Sequence, residues 1–152
     1  LSLTEQSVEK QFRTLKVVTW AFLVASPVVY LLVGNLVGRT IGAPAGNELV
    51  VYLLFAIGLV QPAFGWVIAR IQVQAYRARP QTDMQPVNLF FTLSLIKMAL
   101  VEAIYVYGLV SLFISGEFLN MLFFYPVGVA WSLVHWPTRE KYNRLVESLG
   151  HP

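Results

Sequence analysis

Four stretches of this chain run apolar for the length of a bilayer, and polar residues gather between them. The first is about Val17–Val37, "VVTWAFLVASPVVYLLVGNLV". The others are about Leu49–Ile71, Leu89–Ser115 and Phe118–Trp136. A helix needs roughly 20 apolar residues to cross the hydrocarbon core, so each stretch predicts a transmembrane helix. The Gly- and Pro-rich link "GRTIGAPAGNE" joins the first two as a surface loop. "QVQAYRARPQTDMQPV" joins the middle pair. Only a few residues around "SGE" separate the last two, which makes them an antiparallel hairpin. The pattern predicts an all-α fold, with residues 1–152 forming one four-helix transmembrane domain of antiparallel hairpins.

The two tails follow another rule. Val8, Phe12 and Leu15 recur at helical spacing, with Glu9, Lys10 and Arg13 on the other faces. Tyr142, Leu145, Val146 and Leu149 do the same near the end. This predicts two short amphipathic helices that lie on a membrane surface or dock on a partner. Leu1–Lys16 is too polar to be the apolar core of a signal peptide.

Composition agrees with the spans. Hydrophobic residues make up 57% and charged residues 12%, against about 45–50% and about 25% in soluble domains. The chain has no cysteine, which removes disulfide and thiolate chemistry. Its net charge of +3 reads as topology and not as nucleic-acid binding, because Lys and Arg mark the inner side of a membrane protein. Lys10, Arg13, Lys16, Arg70, Arg77, Arg79, Arg139, Lys141 and Arg144 fall on one side, and Arg39 alone falls on the other. Both termini are therefore expected in the cytoplasm, at a bacterial inner membrane. Trp20, Trp131 and Trp136 fit an interfacial belt on that side, with Trp66 somewhat deeper.

Ionisable groups at mid-membrane are costly and point to function by default. Glu102 lies about fourteen residues into the third span, some 20 Å deep at the helical rise. Loss of water disfavours the charged form of any carboxyl group, and a neutral one both donates and accepts a hydrogen bond. Gln61 lies at a matching depth in the second span, followed by Pro62, whose ring frees the carbonyl of Gly58. Gln61, Pro62 and Glu102 are expected to form one polar pocket. It would be either an interhelical hydrogen bond or an ion or proton site. Tyr105, Tyr107 and Ser111 offer either a sparse polar path outward or packing with satisfied hydroxyls. Lys97 is about two turns in and can snorkel to the headgroups. His135, at the end of the fourth span, is a polar anchor or an axial ligand for haem or chlorophyll. His151 is the only other histidine to complete a bis-histidine haem. Neither a zinc motif nor a phosphate loop nor a nucleophile elbow is present, so an enzyme is not expected.

"ALVEAIYVYGLVSLF" (Ala99–Phe113) resembles the carboxylate-bearing helix of the ATP synthase c subunit. The preceding "RARPQ" (Arg77–Gln81) resembles that family's polar loop, with Gln and Pro reversed. The resemblance covers about residues 77–113. It implies that Glu102 is an ion-carrying acid and Gln61 an auxiliary ligand. The second span, with only Gly58 and Gly65, lacks that family's glycine-rich packing face.

Three functions remain open on the sequence. One is a non-catalytic accessory or scaffold subunit of a larger bacterial energy-converting complex, needing no cofactor and partnered by lipid and other membrane subunits or by copies of itself. The second is a proton or sodium translocator built on Glu102. The third is a haem or chlorophyll protein built on His135.

Overall fold

The computed structural model describes residues 3–38, 48–78 and 85–150. The described residues form helices only. In order these are α1 (Leu3–Trp20), a π-helical turn (Ala21–Ala25), α2 (Ser26–Gly38), α3 (Glu48–Val60), a 3-10 turn (Gln61–Ala63) and α4 (Phe64–Ala78). Then come α5 (Pro86–Ser115), α6 (Phe118–Leu122), α7 (Phe124–His135) and α8 (Arg139–Ser148). Four stretches are long and apolar enough to cross a membrane: Val8–Gly38, Glu48–Ala78, Pro86–Ser115 and Phe118–His135. This is a membrane protein with four candidate spans.

The first two of these run longer than hydropathy alone suggests. The N-terminal tail does not form a separate surface helix: helical structure continues from Leu3 through Gly38. Its apolar face meets protein and not lipid. Phe12 and Leu15 are buried, and the Phe12 ring stacks on Phe90 at 5.6 Å and meets Tyr142 edge-on at 5.3 Å. α8 stands apart as expected, because Pro137 interrupts the helix and Thr138 caps the new one by accepting the N–H of Lys141. Its Tyr142, Leu145, Val146 and Leu149 are half-buried. The tails also touch through Arg139 and Glu9, 3.0 Å apart and largely solvated.

α5 is the central helix. It contacts every other helical segment of the bundle, and its buried residues lie all round it. The surrounding spans turn small residues toward it. Gly58 sits against Ile104 and Tyr107, Gly65 against Lys97, and Gly128 against the Tyr105 ring. Small residues let membrane helices approach closely. α5 ends at Gly116 (φ 70°), whose N–H donates to Leu112 O at 2.8 Å. Glycine takes that left-handed conformation without strain. Beyond the turn, Gly108 meets Met121 and Phe124, and Tyr105 meets Gly128. The tryptophans pair across helices, Trp20 with Trp136 at 6.1 Å and Trp66 with Trp131 at 5.6 Å.

Candidate functional site

The first span changes its winding where it passes Glu102. Pro27 has no N–H to donate to a carbonyl one turn back. The preceding turn, Ala21–Ala25, is π-helical, and the Ser26 N–H donates to Ala21 O instead of Phe22 O. Five residues on from Phe22, the π partner of its carbonyl is Pro27 itself. Ser26 Oγ lies 3.1 Å from Phe22 O, within reach of that carbonyl. Single π turns inside helices often mark functional sites.

Glu102 closes on this turn from α5. Its Oε1 lies 2.8 Å from Ser26 Oγ and 3.0 Å from the Tyr30 hydroxyl. Ser26 and Tyr30 are four residues apart and share one helix face. Tyr125 joins from α7, donating to Pro27 O at 3.0 Å, with its ring 5.1 Å from that of Tyr105. The carboxyl group, two hydroxyls and a proline-broken helix form one partly buried polar cluster.

The expected pocket of Gln61, Pro62 and Glu102 is not what assembles. Glu102 and Gln61 are held by different partners. Gln61 Oε1 accepts from Tyr107 at 2.5 Å. Tyr107 is five residues beyond Glu102, about 140° round α5. Matching depth told the level of the two groups but not their direction. Pro62 is buried with its carbonyl 3.3 Å from His135 Nε2.

His135 is therefore engaged at the nitrogen an axial ligand would offer to a metal. It is buried, its ring stacked on Trp131 at 5.4 Å and edge-on to Trp66 at 5.8 Å. A pigment on Nε2 would have to displace the Pro62 carbonyl and part these rings. His151 lies outside the described residues, as do Arg39 and the Arg79–Gln81 part of the loop likened to the c subunit.

Three hydroxyls on the C-terminal half of α5 point to three different neighbours. Tyr107 faces Gln61. Tyr105 is buried, 3.4 Å from Ser132 Oγ. Ser111 donates to Gly108 O of its own helix at 2.6 Å. Their bonds are local and do not join them to Glu102. Lys97 is half-buried, with its stem over Gly65.

No known protein family matches this chain, and neither a curated protein nor a solved structure shows significant similarity to it. Sequence reasoning passed over Ser26 and Tyr30. The signal available was two hydroxyl residues one turn apart beside Pro27, about twelve residues from the end of their span and so level with Glu102.

Proposed function

We propose that this chain is a non-catalytic subunit of a larger bacterial energy-converting membrane assembly, in which Glu102 pins the first span to the central helix. The observation that carries this reading is the engagement of Glu102 Oε1 by both Ser26 and Tyr30. An acid bonded to a neighbouring helix inside its own bundle acts as glue, worth about 0.6–2 kcal/mol per contact in a membrane. The contacts of Tyr105 with Gly128 and of Gly108 with Phe124 support antiparallel packing of the last two spans. The nine-to-one distribution of basic residues supports an inner-membrane location with both termini cytoplasmic. Partners are other membrane subunits and lipid. Affinity purification from membranes in a mild detergent tests this. Wild type and Glu102→Gln are expected to retain the same membrane partners, and isolation of wild type alone overturns the reading.

A second reading, proton carriage by Glu102 as the c-subunit likeness implies, has one observation in its favour. Ser26 Oγ lies within bonding distance of both Phe22 O and Glu102 Oε1 but has one proton. With an ionised carboxylate, Ser26 serves one oxygen and leaves the other contact unmade. With a neutral carboxyl group, Glu102 donates to Ser26 and Ser26 donates to Phe22 O. One added proton thus completes one more hydrogen bond. Dicyclohexylcarbodiimide labelling that is present in wild type and lost in Glu102→Gln favours this reading. Absence of specific labelling counts against it.

A further inference from the structure

A cavity of about 740 Å³ lies away from Glu102, between α4, the first half of α5, the end of α7 and α8. Pockets for small ligands run from about 300 to 1,000 Å³. Arg70, Arg77, Lys97, Lys141 and Arg144 line it, and among the described residues no Asp or Glu does. Three of these cations are already engaged. Arg77 donates to Ser148 O. Lys141 Nζ donates to Val134 O at 2.8 Å and Trp136 O at 2.7 Å. Arg144 pairs with Glu140 at 2.5 Å.

Lys97 and Arg70 make no hydrogen bond or ion pair with any described residue. Lys97 is the telling one, because it lies within a membrane span and is half-buried. A cation there is costly and normally has a counter-charge. The cavity is also not a purely aqueous cleft. Val73, Phe90, Leu93 and Leu145 form its apolar wall. Trp66 and Val134 line it as well and are each 48% exposed, so its flank is open and apolar. An anion with an apolar tail fits both halves, and basic pockets between membrane helices bind anionic lipid headgroups.

We propose that this cavity is a binding site for an anionic phospholipid, with its phosphate held between Lys97 and Arg70 and its first acyl carbons against Phe90 and Leu93. The chemistry recognised is a phosphate ester, which a free soluble phosphate could also supply. The open apolar flank selects the lipid.

Native mass spectrometry of the detergent-solubilised protein, exchanged into mixed phosphatidylglycerol and phosphatidylcholine, tests the site. Wild type is expected to retain one phosphatidylglycerol in preference to phosphatidylcholine. Each basic residue near a membrane surface contributes about one kcal/mol, so the double variant Lys97→Met/Arg70→Gln is expected to bind about thirtyfold more weakly. Lys10→Gln/Arg13→Gln removes two exposed charges outside the cavity and should leave retention unchanged. Equal retention by the cavity variant and wild type overturns the proposal, as does an equal loss in the control variant. Displacement of phosphatidylglycerol by glycerol phosphate at equal concentration shows that the occupant is a free phosphate and overturns the lipid assignment. If the double variant fails to fold, Arg70→Gln alone, at an exposed position, should weaken binding about fivefold, and no change contradicts the site.

Discussion

Glu102 shows how far one residue can be read from its neighbours in sequence. Its presence at mid-membrane is plain from hydropathy, and so is the need for a partner. The partner is not, because depth along a helix fixes level and not rotation. Gln61 matches the level, but the side of α5 that carries Glu102 faces Ser26 and Tyr30. If these three form one hydrogen-bonded unit, their substitutions will not be additive. Ser26→Ala and Tyr30→Phe should each lower stability by about 0.6–2 kcal/mol. Combined with Glu102→Gln, each should show a coupling of at least about 0.5 kcal/mol in thermal unfolding in detergent. Additive losses would mean that the hydroxyls act apart from the acid. The glycines give a sharper contrast. A Cβ at Gly128 would stand 2.5 Å from Tyr105 Cζ, a rigid ring atom, whereas at Gly34 it would meet the flexible Met121 side chain. Gly128→Ala should therefore destabilise by about 1–3 kcal/mol, and Gly34→Ala by clearly less.

At the scale of the element, the spans were legible and their ends less so. The expected fourth span, Phe118–Trp136, differs by one residue from the observed Phe118–His135. Hydropathy ends where charge begins, but a helix does not. Arg13 and Lys16 are exposed on a helix whose other face is buried, so α1 runs on into the first span without a break. The amphipathic face of the tail was visible in sequence. Its binding surface was not, since Phe90 and Tyr142 reach it from 78 and 130 residues away. The aromatic cluster should dominate that contact. Phe12→Ala is expected to cost about 3–5 kcal/mol and to raise amide hydrogen exchange in α8 as well as α1. Glu9→Gln, which removes only a solvated ion pair, should cost less than about 1 kcal/mol. Similar effects from the two would place the docking energy in charge and not in packing.

For the whole molecule, the parts divide into a central helix with polar pins at several levels and an apolar exterior. Glu102 holds the first span, Gln61 meets Tyr107 from the second, and Ser132 lies beside Tyr105 in the fourth. Each of these three polar contacts thus meets α5, which suits the proposed role of a subunit that keeps four helices together. The competing account makes Glu102 a carrier, and a carrier needs water on both sides of its carboxyl group. Tyr105, Tyr107 and Ser111, on the C-terminal half of α5, are instead bonded to three separate neighbours. Proton flux into liposomes containing the purified chain, driven by a potassium diffusion potential, decides between pin and carrier. Wild type and Glu102→Gln are both expected to leave flux at the level of empty liposomes. Flux above that level in wild type, abolished by Glu102→Gln in protein that remains folded, would contradict the account.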